Sequence, residues 1–189
     1  MQHRLTTPVT REDLAPLRAG DTVLLSGVVF TARDAAHGRM MEQLDRGEAL
    51  PFPVEGSALY YVGPTPERPG QVIGSAGPTT SGRMDAYSPR LLDLGQAIMI
   101  GKGARNQAVK EAVVRNGAVY LAALGGAGAL MAASVKTLEV ICWEDLGCEA
   151  VRRLEVEDMP LTVILDSQGG DLYESGPAAY LEARDGKTG

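Results

Sequence analysis

The chain has 189 residues, 44% of them hydrophobic but only 5% aromatic, with 23 glycines and a formal net charge of −6. That length suits one domain with an interior of Val, Ile, Leu and Ala, and the acidic balance argues against broad electrostatic binding to nucleic acid or to an anionic membrane. No apolar run approaches the ~20 residues of a membrane-crossing helix, and Met1 to Thr7 lacks the apolar core of a signal peptide, so a cytoplasmic protein is expected.

Taken in order, Glu12 to Leu17 reads as a short helix ended by Gly20, and the apolar run Asp21 to Thr31 as a strand. Asp34 to Arg46 has helical spacing, with Ala35, Met40, Met41 and Leu44 expected inward. Leu50 to Gly56 is a proline-bearing loop, Ser57 to Val62 a strand, Gly63 to Gly70 a loop, and Gln71 to Gly74 a short strand. Met84 to Leu94 reads as helical, limited by Pro89, and Ala97 to Ile100 as a buried strand. Ala104 to Arg115 is a helix ended by Asn116-Gly117. Ala118 to Ala123 is a strand, Gly125 to Ser134 a small-residue helix or turn, and Val135 to Trp143 a further strand. Cys148 to Val156 and Leu161 to Asp166 read as the last two strands, and the polar tail after Gly169 as loosely held. Strands alternate with helices in the middle but follow one another near the end. An α/β fold with a mixed sheet is expected, with one domain over 1–172 and a polar tail over 173–189.

Cys142 and Cys148 fit no CxxC zinc pattern, and two cysteines cannot complete a four-thiolate iron–sulfur site. With His3 and His37 as the only histidines, a metal centre built by this chain alone is not expected. The run Gly125 to Met131 fails the dinucleotide fingerprint in both registers, so its small residues point to close helix packing. Gly101-Lys102-Gly103 lacks the upstream glycine of a phosphate loop. A lysine at the carboxyl end of a strand is nevertheless well placed for a ligand.

Gly74 to Asp85 is the most informative stretch. Its glycines, hydroxyls and Arg83 fall in a turn between an apolar run and a helical one. Glycines let a backbone approach an anion, amides point inward, and arginine grips a carboxylate with a two-pronged fork. Thr79, Thr80 and Ser81 are each natural helix N-caps. Arg33 and His37 lie four apart at a predicted helix start, on one face; Arg33 could instead pair with Asp34, and His37 could simply pack. Arg33, Arg83 and Lys102 each follow a predicted strand or a short turn after one. If those ends meet, three cations converge and require an anion, which a dicarboxylate would supply.

Thr31 to His37, Gly77 to Asp85 and Ile100 to Gly103, in that order, resemble the β subunit, or C-terminal domain, of class I iron–sulfur hydro-lyases, the fumarate hydratases and L-tartrate dehydratases. Gly125-Gly126-Ala127 and Leu154 to Pro160 also fit, and the resemblance covers roughly residues 5 to 172. It implies a swivelling β/β/α domain that closes over an active site shared with an α subunit, and reversible hydration of a C4 dicarboxylate. It implies a [4Fe-4S] cluster held by that partner through three cysteines, a dimer of αβ pairs, and no activity for this chain alone. It assigns the catalytic base to Thr79 and substrate binding to Arg33, Arg83 and Lys102, with Thr80 beside them. A non-catalytic dicarboxylate-binding module is the competing reading.

Overall fold

The computed structural model describes residues 1–123 and 126–185. Four parallel strands lie side by side in the order β2 (Thr22–Thr31), β3 (Ala58–Tyr60), β4 (Ile98–Gly101) and β5 (Val119–Ala122). The long strand β7 (Val151–Leu165) runs antiparallel against β5 at one end and against β2 along most of its length. Those pairings close the sheet into a barrel. β1 (Gln2–Thr7) pairs with the first half of β2, and β6 (Val135–Cys142) with the first half of β7. The sheet is mixed, as the pattern predicts.

Closure depends on both long strands changing neighbours midway. β2 leaves β1 after Gly27 and takes up β3 at Val29. Gly27 sits at φ 97°, and a Cβ there would lie 2.7 Å from Thr7 Oγ1 and 2.8 Å from the Thr7 carbonyl, so only glycine fits. Opposite this bulge, Asp158 adopts φ 48° within β7, and its N–H donates to Ser26 Oγ at 3.0 Å. Glu157 and Asp158 thus form a bulge in one strand, with Met159 and Pro160 back in register against Leu25 and Leu24, and no loop divides two strands here. The break expected there is corrected for that reason.

Alternation along the strands sorts two cores. Val23, Leu25, Val29, Tyr60, Ile98, Ile100, Val119, Leu121, Leu154 and Leu161 fill the barrel. Phe30, Leu59, Tyr61, Met99 and Tyr120 point outward, under helices α2 (Asp34–Asp45), α3 (Ser88–Asp93) and α4 (Gln107–Asn116). α4 starts on Asn106, whose side chain accepts from the Val109 N–H, later than the expected start at Ala104, and it ends at Gly117 in the left-handed conformation, the end its sequence predicts. The first helix, α1 (Arg11–Leu14), carries a capping box between Thr10 and Asp13.

Several expectations change. β1 goes beyond the expected elements: half of its residues are exposed and Leu5 is its one aliphatic side chain, so its apolar pattern is too thin to read. In α2 the buried residues are Ala36, His37 and Met40, and Met41 and Leu44 pack partly buried against the same core, whereas Ala35 is exposed, off that face. Gln71 to Gly74 forms no strand. The Met84 to Leu94 helix divides into a 3-10 turn at Ser81–Met84 and α3, whose Pro89 occupies the first turn, where no N–H is needed. The tail after Gly169 is not irregular throughout: α6 spans Leu172–Asp185. α5 (Gly128–Ser134) packs closely as expected, since a Cβ at Gly128 would overlap Ser75 Oγ. Gly125, part of the same motif, lies outside the described residues.

Candidate active site

Parallel β2, β3, β4 and β5 bring their carboxyl ends to one rim of the barrel, where open α/β sheets gather ligands. The segment Pro78 to Ser81 is wedged into that rim. The Thr79 N–H donates to the Tyr61 carbonyl just past β3 at 2.8 Å, and Thr80 pairs with Lys102 just past β4. The Ser81 N–H donates to the Lys102 carbonyl at 2.9 Å, and the Lys102 N–H returns a bond to Ser81 Oγ at 3.0 Å. Backbone pairing therefore brings Thr79, Thr80 and Lys102 together.

Ser81 is the fixed point of this wedge. It is fully buried, and the Tyr120 hydroxyl lies 2.9 Å from its Oγ. Burial pushes the Tyr120 phenol well above its ordinary pKa, so it stays a donor at neutral pH. A Cβ at Gly101 would overlap Ser81 Oγ, which explains the glycine that ends β4. The capping roles expected for Thr79, Thr80 and Ser81 are corrected. Thr80 precedes the 3-10 turn without a side-chain cap bond, and the Ser81 hydroxyl turns into the core. Among the described residues, no hydrogen bond engages the Thr79 hydroxyl; Thr79 is half-buried.

A buried ion pair lies beneath the turn. Asp85 accepts from Arg105 Nε at 2.6 Å and from the Asn106 N–H at 2.7 Å, tying the turn to the start of α4. The Arg105 side chain is 0% exposed. Its other nitrogens reach Ser88 Oγ and Met99 Sδ, and its plane lies over Tyr61 and Tyr120.

The two predicted arginines reach the same rim, each against a carboxylate of the chain. Arg83 Nη2 is 2.6 Å from Asp34 Oδ2, with both side chains substantially exposed. Such a pair is worth only about 0.2–1 kcal/mol, so an incoming ligand can displace it. Arg33 does not pair with Asp34, as its sequence position suggests; its partner is Glu149, 3.2 Å from Nη2. The β6–β7 connection brings Glu149 across, and no local pattern points to it. Lys102 is exposed and pairs with no carboxylate among the described residues.

His37 turns away from this group. It is fully buried, edge-on to Tyr61 and stacked on Tyr87, and its Nδ1 lies 2.8 Å from the Arg33 carbonyl. That contact makes Nδ1–H the donor and leaves Nε2 as a buried acceptor without a partner. Burial is the main cause that lowers its pKa to about 4. The unfolded chain takes up this proton near pH 6.5, whereas the folded protein resists until about 4. Stability is therefore complete above pH 6.5 and falls, by roughly 3 kcal/mol, between pH 6.5 and 4. Urea midpoints across that window should show the loss, and His37→Phe should flatten it; an equal slope in both proteins would contradict this role.

Cys142 and Cys148 are separate free thiols, and among the described residues no three His, Cys, Asp or Glu side chains converge as a metal site. The donor set of this chain does not suit an iron–sulfur cluster. No described helix is long and apolar enough to cross a membrane.

Residues 1–176 match the family model described as Fumarase C-terminus. The chain is 41% identical over 152 residues to the aerobic class I fumarate hydratase of Salmonella typhimurium, covering 79% of this chain and 26% of the relative. It is 39% identical over 169 residues to fumarate hydratase 2 of Leishmania major, covering 86% and 29%. It is 32% identical over 190 residues to the L(+)-tartrate dehydratase subunit beta of Escherichia coli, covering 98% and 93%. The chain thus spans about a quarter to a third of these fumarate hydratases but nearly all of that β subunit.

Proposed function

This chain belongs to the Fumarase C-terminus family, and from that premise we propose that it is the β subunit of a two-subunit hydro-lyase that hydrates fumarate reversibly to (S)-malate. The observation that carries the reading is the rim. Thr79, Thr80 and Lys102 are joined there by backbone pairing, and Arg33 and Arg83 reach it beside the first turn of α2.

In the dehydration direction, a proton leaves the carbon beside a carboxylate, and charge builds on that carboxylate as an enediolate. Arg33 and Arg83 hold the two carboxylates as forks, and Lys102 adds a point charge. Cations fixed before the reaction lower such a barrier by several kcal/mol. Thr79 receives the proton, with Thr80 beside it. Because no group among the described residues reaches the Thr79 hydroxyl, its activation falls to the α partner. That partner would also hold the [4Fe-4S] cluster, which would supply the Lewis acidity that lets the substrate hydroxyl leave as water. The assembly is a dimer of αβ pairs in the cytoplasm.

A second reading, the β subunit of an L-tartrate dehydratase, is favoured by the near-complete coverage of the Escherichia coli β subunit. Tartrate carries one more hydroxyl, and a site built to bond it would discriminate strongly. Anaerobic co-expression with the α partner, followed by assay on both acids, tests the choice. Fumarate turnover in excess of tartrate is expected; tartrate dehydration with negligible fumarate turnover would contradict it.

A further inference from the structure

Arg33 is incompletely partnered. Glu149 Oε1 lies 3.2 Å from Nη2, Cys148 Sγ lies 4.0 Å from Nη1, and Nε is buried with no hydrogen-bond partner. A fork that makes one ion-pair contact and leaves Nε dry has unused capacity for a bidentate carboxylate. Gly63 leaves room for the guanidinium, since a Cβ there would lie 2.8 Å from Nη1. The second oxygen of Glu149 accepts from the Ala35 N–H at 3.1 Å, in the first turn of α2. One carboxylate of the chain thus bridges an arginine and a helix N-terminal amide, the two groups that make this corner attractive to an anion.

We propose that Glu149 is an internal competitor: its carboxylate occupies the substrate-carboxylate position at Arg33 and withdraws when substrate binds. The inference rests on the reading of Arg33 as a substrate grip. Glu149 balances the guanidinium while the site is empty, so Arg33 is never left as a desolvated, unpaired charge. The backbone around it is held: Arg152 donates to the carbonyls of Gly147, Cys148 and Ala150 at 2.8–3.0 Å, and Arg39 pairs with Asp145. Withdrawal is therefore a rotation of the Glu149 side chain, not a movement of the loop. Displacement exchanges one guanidinium contact for a two-pronged one that includes Nε.

A site filled by its own carboxylate nine times in ten binds its ligand about tenfold more weakly than an open one. Glu149→Asp keeps the charge but is one methylene too short to span Arg33 and the Ala35 amide. In the assembled enzyme, Glu149→Asp and Glu149→Gln are both expected to lower KM by about five- to tenfold, with kcat within about twofold. A higher KM in Glu149→Asp would mean that Glu149 orients Arg33, and would overturn the proposal. A lower KM in Glu149→Gln alone would reduce the effect to bulk charge, and an unchanged KM in both would mean no competition; each overturns it as well. The isolated chain gives an independent readout. Succinate titrations followed by NMR should show tighter binding in Glu149→Asp than in the native chain, and no such gain when Arg33→Met is also present. If that difference appears but the assembled complex has no hydro-lyase activity, the functional reading fails and the competitor stands. If activity is present and the difference is absent, the competitor fails alone.

Discussion

Replacing Thr79 with valine is expected to lower kcat of the assembled enzyme by about 10²–10⁴-fold, the range attached to one positioned acid–base group, while KM changes by no more than a few-fold. The substitution is close to isosteric. The Thr79 contribution to the fold passes through its backbone N–H, which donates to the Tyr61 carbonyl, and valine keeps that bond. Its hydroxyl is engaged by no other group among the described residues, so its removal should leave the melting temperature nearly unchanged. The prediction also separates the two classes of function. A module that only binds dicarboxylates needs Arg33, Arg83 and Lys102 but not the Thr79 hydroxyl. Retained turnover in Thr79→Val would reject Thr79 as the base; lost turnover with retained substrate binding would reject the passive module. Single-turnover measurement under anaerobic conditions gives the cleanest reading, because it reports the chemical step apart from product release.

The second large effect is structural. Arg105→Met should destabilise the chain by about 3–5 kcal/mol, the cost of stripping one partner from a buried ion pair. Asp85 would keep its bond to the Asn106 N–H but lose the guanidinium, and Ser88 and Met99 would lose their contacts as well. Because Asp85 anchors the Thr79 to Arg83 turn to α4, the site should loosen along with the fold. Denaturant midpoints would measure the loss. The double variant Asp85→Asn with Arg105→Met should recover part of it, since no charge is then left stranded. A double variant that loses the sum of the two single losses would contradict the pairing.

How much of this was legible in the sequence follows from what each residue depends on. The strands β4 and β5 announce themselves as apolar runs because they are buried on both faces, and β2 does so through its length, with its last three residues buried. The end of α4 is equally plain, since Asn116-Gly117 carries a local cap signal. The cations Arg33, Arg83 and Lys102 stand out because each follows a predicted strand or a short turn after one, whereas Thr79 stands out from a helix cap only through the family resemblance. What lay hidden was non-local. Barrel closure depends on a bulge at Gly27 facing another at Asp158, more than a hundred residues away, and Pro160 read on its own marks a break. Glu149 meets Arg33 only because β6 and β7 carry the connection across the first turn of α2. Arg105 resembled any helix-start arginine, yet it is buried because Tyr61, Tyr120 and Met99 surround it. Ser81 read as a cap because serine usually caps; here Tyr120 and the Lys102 amide claim its hydroxyl first.

The central claim is that this chain supplies half of a shared active site. Its most direct test is to assay fumarate hydration, without oxygen, by this chain alone, by the α partner alone, and by the two co-expressed and purified as one complex. The account predicts a brown complex that hydrates fumarate, and no hydration by this chain alone. A chain that hydrates fumarate by itself, or one that forms no complex with the α partner, would contradict it.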